Sequence, residues 1–450
     1  MYINQLCKFL LDAGSFAYNP ESAMRKYQKK LGDPFRFQMS PKQSIWVSGT
    51  PMATKEIFTA KPEIFGPLAA DPIESLMGPK SLLILEGQNH LREKVTMSPA
   101  FQGDNMRLYG ETMQFFALHE FNHWKSDQAH DIYTAMKHIT LNVILSAIFG
   151  IQDKELLEIF RKKTMRFLTN YSPSLMFLPI LRNRFWYPWQ QYINAREEFD
   201  NLMLEQIEKC RINPEENRND ILFKFVNATF SDGSQFSNES LLDELKTLLV
   251  GGHETSSTAL TWALYYIFTN DDIKNKLLSE LNSLPEDAGI AQMIKLPYLT
   301  AVCQEALRIH PTVPIILRTL KEPFEFRGKA LNPGDTIALS LTLLHSNEDT
   351  WEHPHLFNPE RFLNRTYSQY EFAPFGGGVR RCLGASFALY EIKIILAVTL
   401  LNIKLKIKPQ KNIFPHLYGM IMKPRKNIWG TVDNAYRQGS IMSAVNPIEG

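Results

Sequence analysis

Two long apolar patterns dominate the chain. From Ser237 to Phe268, hydrophobic residues recur at helical spacing through Leu248, Leu249 and Val250 and again after Ala259, which predicts one unusually long helix. Its middle breaks the pattern. Gly251, Gly252, His253, Glu254, Thr255 and Ser256 put weak helix formers, an acid and hydroxyls where apolar side chains would pack better. Leu383 to Asn402 is the second pattern, apolar at helical spacing and free of proline.

Weaker periodicities fill the rest. Pro20 to Leu31 predicts a first helix, followed by short alternating strands at Phe35 to Met39 and Ile45 to Val47, joined through Pro41. Lys61 to Glu86 reads as an irregular apolar loop in which Pro62, Gly66, Pro67, Pro72, Gly78 and Pro79 interrupt Ile73, Leu76 and Met77. Such loops are often binding walls. His90 to Ala100 reads as a helix with His90 and Lys94 on one face. Several helices follow between Met106 and Cys210, broken at Ser172 to Pro179 and by the aromatic run Phe185, Trp186, Tyr187 and Trp189, which suits a core. Asn213 to Asn219 is polar and expected to be exposed. After a helix at Tyr298 to His310, prolines hold Pro311 to Ile316 extended. Phe324 to Phe326 and Thr336 to Leu339 predict a hairpin turned by Asn332, Pro333, Gly334 and Asp335, and His416 to Ile421 a second hairpin tip. The sum is a mainly α protein with a small β-sheet region, expected to be a single domain over residues 1–450.

With 450 residues, 44% of them hydrophobic and 12% aromatic, the chain can bury a large core. A net charge of +2, with basic residues spread rather than blocked, leaves no footprint for nucleic acid. Cys7, Cys210, Cys303 and Cys382 lie far apart without CxxC spacing, which argues against a disulfide framework and suits a reducing compartment. Cys210 and Cys303 read as packing residues. No stretch near the N-terminus approaches the ~20 apolar residues of a membrane span, so the expectation is a cytoplasmic protein.

The chemistry concentrates at Phe375 to Gly384, FGGGVRRCLG. Three glycines let backbone lie close to a flat ligand, and Cys382 stands at the mouth of a helix with Arg380 and Arg381 beside it. Its thiol is expected to ionise easily. A lone thiolate suits one axial bond to a metal better than a four-cysteine cage. A dinucleotide loop is excluded because Arg381 stands where GxGxxG needs its last glycine. Zinc at His253 and Glu254 is excluded because HExxH needs a histidine where Ser257 stands. His345, His353 and His355 fit no metal spacing and read as solvated loop histidines.

Phe375, Gly378, Arg380, Cys382 and Gly384 fill the pattern FxxGxRxCxG, which resembles the haem-binding signature of the cytochrome P-450 family. The resemblance runs from the first helix to about Asn427. It implies that family's fold, with a long central helix over haem b and the cysteine loop beneath, Cys382 being the axial ligand. It also implies that Gly251, Gly252, Glu254 and Thr255 match the oxygen-activation motif GGxET, with Thr255 and Glu254 passing protons. His90, Lys94, Arg318 and Arg380 would then meet the haem propionates, although Lys94 stands where arginine is usual. Glu305, Arg308 and Arg361, the last within a PERF segment, resemble a buried lock bracing the cysteine loop. Val313, Ile315, Ile316 and Leu76 would line the substrate pocket, under a roof of Leu175, Met176, Phe177, Leu178 and Ile180.

The activity so implied is monooxygenation, one atom of O2 entering a C–H bond of a fatty acid, terpenoid, steroid or other apolar natural product. The chain ends soon after the cysteine helix, so electrons are expected from a separate ferredoxin or flavodoxin with its reductase, docking near Arg92, Lys94 and Arg381. A soluble bacterial type and a monomer are expected. Two rivals carry less. An isomerase or peroxygenase of the same fold needs no proton relay, and a haem sensor needs no acid and hydroxyl in mid-helix.

Overall fold

The structure, a computed structural model, describes residues 2–433 except 41–42, 67–69, 104, 127, 152, 214–217 and 286. The expected turn at Pro41, Pro67 and most of the polar stretch 213–219 therefore lie outside the described residues.

Strands form at β1 (Phe35–Ser40), β2 (Gln43–Ser48), β3 (Phe65–Gly66), β4 (Ala129–Asp131), β5 (Ile315–Leu320), β6 (Phe324–Phe326), β7 (Lys329–Leu331) and β8 (Thr336–Ser340). Five of them make one sheet in the order β1-β2-β8-β5-β3. β2 runs parallel to β8, with Trp46 opposite Ile337, and β5 runs antiparallel to it, with Ile316 opposite Leu339. All five residues of β8 are buried, as a strand covered on both faces requires. This corrects the expected hairpin. Thr336–Ser340 joins the large sheet, while Phe324–Phe326 pairs with Lys329–Leu331 across Arg327 and Gly328, both at positive φ. Such a two-residue turn matches the right-handed strand twist, and no Asn-Gly advertised it. Four late strands complete the set: β9 (Leu405–Ile407), β10 (Pro415–Tyr418), β11 (Ile421–Pro424) and β12 (Trp429–Val432). β10 and β11 are the second expected hairpin, and β12 pairs with both β4 and β9.

The first helix lies earlier than expected, at Tyr2–Tyr18, and is followed by Pro20–Leu31 with Asn19 as its N-cap. The central helix spans Asn238–Phe268, 31 residues, and Ser237 caps it by accepting from the Ser240 amide at 3.1 Å. It packs against Ile132–Phe149, Pro297–Ile309 and the cysteine helix Ala385–Asn402. The first and last of those neighbours are long and apolar enough to cross a membrane, yet both are mostly buried inside the molecule. A helix that is apolar all round belongs in a core. One large helical cluster forms that core, and two smaller clusters cover the faces of the five-stranded sheet.

Lys61 to Glu86 is less irregular than expected. Ala70–Met77 is helical, with Ile73, Leu76 and Met77 buried on one face; Pro72 falls in the first turn, where a missing amide is harmless. Over this helix lies the roof, made by Lys154–Asn170, Pro173–Phe177 and Tyr187–Ile212. Arg182 fastens it, donating to Leu175 O and Met176 O at 2.6 Å and to Asp71 and Ser75 at 2.8 Å. Leu175 and Met176 point inward, whereas Phe177, Leu178 and Ile180 are exposed. Phe185, Trp186 and Tyr187, expected in the core, are exposed as well.

Candidate active site

The cysteine loop is seated on Phe58, at the end of helix Pro51–Thr59. Gly378 has φ +61°, and a Cβ there would come within 2.6 Å of the Phe58 carbonyl oxygen; at Gly377 it would meet the Phe58 ring at 2.2 Å. Each glycine therefore answers a close backbone approach. We expect Gly378→Ala to lower stability by about 1–3 kcal/mol in denaturant unfolding, whereas Gly384→Ala, where a Cβ meets nothing within 4 Å, stays near wild type. Equal losses in the two would contradict this account. The Cys382 amide donates to Phe375 O at 2.9 Å and closes the loop.

Cys382 has an accessible side chain, yet protein crowds it enough that burial pushes its thiol up. The Gly384 amide, Lys94 and Arg381 pull the other way without prevailing. The expected easy ionisation is thus corrected. The helix begins only at Ala385, so the sulfur lies beyond its first turn, where the dipole fades. A bound cation is what would hold this sulfur as thiolate.

Basic groups converge beside it. His90 is buried, and burial followed by Arg380, Lys94 and Arg318 holds its imidazole down to about 4. Arg318 is half-buried, brought down to about 10 by burial and by Arg380; it donates to Leu317 O at 2.7 Å and has no carboxylate partner among the described residues. Arg380 spends its donors on Leu82 O at 3.1 Å and Leu85 O at 2.5 Å. Lys94 departs from its expected place, since its ammonium donates to Val379 O at 2.5 Å and Arg381 O at 2.7 Å. A compact point charge on a long stem can cap carbonyls where a planar guanidinium would fork. Uncompensated cations around a cysteine recess fit a group that brings its own carboxylates, as haem does.

On the central helix, Gly251 is exposed and an added Cβ would meet nothing within 4 Å, whereas at Gly252 it would come to 3.0 Å from Ile144. One glycine opens a face; the other serves helix packing. The helix runs through this point without a break, although its glycines and polar residues interrupt the apolar pattern, and the Thr255 hydroxyl donates to Gly251 O at 2.5 Å. Glu254 turns toward Lys137, 3.8 Å away. His253 is fully buried, its Nδ1 3.0 Å from Thr140 Oγ1, and its Nε2 has no hydrogen-bond partner among the described residues. Among the described residues no cluster of His, Cys, Asp and Glu could hold a bare metal ion.

The structure brings Glu305, Arg308 and Arg361 together. Glu305 accepts from Arg308 Nε at 2.6 Å and Nη2 at 2.8 Å, from Arg361 Nε at 3.2 Å and from the Asn358 amide at 2.8 Å. Arg308 also donates to His345 O and Pro354 O, both at 2.8 Å. His345 is accordingly buried, not solvated, and its Nε2 accepts from Ala373 N at 3.0 Å, two residues before Phe375. His353 and His355 are exposed, as expected.

Strand alternation separates two expected pocket residues. Ile316 lies with Arg318 on the face toward Gly376, 3.7 Å from where a Cβ would stand, while Ile315 packs into the cluster on the opposite face with Leu317. Val313 is exposed, and Leu76 is buried in the helical core. The β10–β11 tip reaches the roof, with Gly419 3.6 Å from Met176 measured at its added Cβ. Glu391 was missed. It is buried on the cysteine helix, where burial pushes it up to about 8 and Ser256, beside Thr255, opposes the shift. As the one acid in an apolar helix it carried a readable signal.

A mainly helical fold of this plan, with one cysteine in a cation-lined recess, defines the class of haem-thiolate oxidoreductases. The chain belongs to the cytochrome P450 family, whose model matches residues 7–430. It is 31% identical over 407 residues to cytochrome P450 135B1 of Mycobacterium tuberculosis, covering 89% of this chain and 84% of that one. Cytochrome P450 138 of the same organism is 28% identical over 415 residues, 91% of each chain. The retinoic-acid-bound cyanobacterial CYP120A1 superposes with a TM-score of 0.80 at 24% identity, covering 91% of this chain and 93% of its own. The protein is thus a monooxygenase that uses haem, O2 and redox partners.

Proposed function

We propose that this single-domain chain hydroxylates an apolar small molecule using haem b, with Cys382 Sγ as the iron ligand. The observation that carries the reading is the convergence of His90, Arg318 and Arg380 beside Cys382 with no carboxylate paired to Arg318 among the described residues. When bound, haem supplies the activation of O2 and the insertion of one oxygen atom into a C–H bond.

With haem bound, His90 and Arg318 would hold the propionates, Arg380 would add positive charge while it braces Leu82 O and Leu85 O, and Phe375, Gly376, Gly377, Gly378 and Gly384 would shape the loop that receives the group. Lys94 acts from behind by holding two loop carbonyls. Gly251 leaves room along the central helix for a flat group and a small gas. Thr255 holds a proton at Oγ1, now given to Gly251 O, and can redirect it into that space. Glu254, paired with Lys137 at the helix flank, brings protons from outside. Val313, Ile316 and Leu76, with Ile315 behind them, make an aliphatic lining that orients a C–H bond and excludes water. That lining suits a fatty acid, terpenoid or steroid.

A cytoplasmic monomer served by a ferredoxin or flavodoxin completes the reading. Of the three basic residues expected to dock it, Arg92 is engaged by Asp232 at 3.0 Å and Lys94 faces the loop, so Arg381, which is exposed, carries most of that role. Incubating the protein with redox partners, O2 and an apolar ligand chosen by its shift of the Soret band tests the activity. Hydroxylated product under those conditions, and none with reductant omitted, is the expected result; turnover with peroxide alone would favour a peroxygenase. Thr255→Ala is expected to retain haem and ligand binding while sending most reducing equivalents to peroxide. Product formed one for one with reductant would remove Thr255 from the proton path.

A further inference from the structure

Glu244 lies on the central helix with no solvent exposure, and among the described residues neither of its carboxyl oxygens has a hydrogen bond of good geometry, the Leu82 amide being its nearest backbone donor. Oε2 of Glu93, on helix Gly87–Met97, is in the same position, while its Oε1 accepts from Ser240 at 3.3 Å. Ser240 and Glu244 stand four apart on one face of the central helix, so the Glu93 carboxyl that accepts from Ser240 lies against Glu244, and each carboxyl acts on the other. Ionised carboxylates only accept, so the two can bond only while one of them carries a proton.

Three elements meet at the pair. Glu93 follows His90 by one helical turn and directly precedes Lys94. Segment 78–85 is strapped to the central helix by the Lys80 amide, which donates to Asp243 at 3.0 Å, and by Thr247 Oγ1 to Ser81 Oγ at 2.7 Å. Gly78 permits that approach, since a Cβ there would lie 2.0 Å from Asp243 Oδ1. From its other side the same strap offers Leu82 O and Leu85 O to Arg380.

We propose that Glu244 and Glu93 share one proton, and that this O–H···O bond is a positioning clamp fixing His90 and Arg380, through their two supporting elements, against the central helix. The inference rests on the haem reading of that cradle. Around the pair stand Arg92 on the helix of Glu93, Lys80 and the Leu82 amide on the strap, and Asp243 beside Glu244. Burial raises both carboxyls, Glu244 well above the usual range, where Glu93 adds to the effect; the bond and the cations oppose it at Glu93. Glu244 is therefore the donor. Because the folded protein holds this proton more tightly than the unfolded chain, the clamp is complete below the ordinary carboxylate range and is lost as pH rises through the native value.

The test is hydrogen–deuterium exchange of peptide 78–85 in the full haem-loaded chain, corrected for intrinsic rates, together with haem transfer to an apo-globin acceptor. In wild type both opening and haem loss should rise tenfold or more as pH is raised from the ordinary carboxylate range to well above it. Glu244→Gln keeps a donor at every pH and should flatten both curves. Glu93→Gln removes the like charge and should do the same, which keeps the proposal testable if the first variant folds poorly. Wild-type slopes in both variants would overturn the clamp. Flattened exchange with unchanged haem loss would overturn its link to the cradle. A protein with no Soret band in any variant would instead refute the haem reading.

Discussion

Cys382→Ala should yield a folded chain whose reduced, carbon-monoxide-treated spectrum lacks the strongly red-shifted Soret band of thiolate ligation. Activity with O2 should fall by several orders of magnitude, because no other group in the recess can donate comparable charge to iron. Among the described residues the remaining cysteines, Cys210 and Cys303, are buried elsewhere in the helical core, and burial raises the Cys303 thiol to about 12. Neither can substitute. The fold should survive, since Cys382 contributes one backbone bond, to Phe375 O, that alanine retains. A red-shifted band that persisted in the variant would overturn the assignment of the ligand.

The second large effect is expected at Glu305, which touches no ligand. Glu305→Ala would leave Arg308 and Arg361, both buried, facing each other with no anion between them. Breaking a buried pair from one side typically costs about 3–5 kcal/mol. The carbonyls of His345 and Pro354 would still hold Arg308, but the Asn358 amide would lose its acceptor and the run from Glu352 to Phe375 its brace. Denaturant unfolding should show the loss, with haem content falling in parallel. Glu360, in the same PERF segment, supplies the contrast. It pairs with half-exposed Lys276 at the surface, where such a pair contributes about 0–1 kcal/mol, and accepts from the buried Tyr298 at 3.2 Å. Comparable losses at Glu305 and Glu360 would remove the lock from its proposed role.

Much of this site was legible because its chemistry depends on residue types at fixed offsets. The glycines and cysteine of the loop, the glycine and polar interruption of the apolar pattern along the central helix and the Glu305–Arg308 spacing are local patterns, and local patterns survive in a sequence. What was hidden depended on partners distant in the chain. His345 looks like any loop histidine until Arg308 takes its carbonyl and Ala373 its ring nitrogen. Lys94 was placed by its helix face, but the direction of a long flexible side chain is set by which carbonyls come near. The helix at Ala70–Met77 hid behind Pro72, and the pairing of Lys329–Leu331 behind an arginine at positive φ. Nothing in the sequence sets Glu93 and Glu244 apart from other helical acids. Only packing turned them inward.

Phe58 and the glycines it supports lie roughly three hundred residues apart in the chain, a separation of the kind that slows folding because loop closure precedes any compensating contact. During synthesis, the chain as far as Gly378 must emerge from the ribosome before Phe58 meets the loop it supports. Until then an aromatic ring waits for its cover, and the nascent molecule has no finished seat for its prosthetic group. Cofactor capture is thereby deferred until Gly377 and Gly378 settle over that ring.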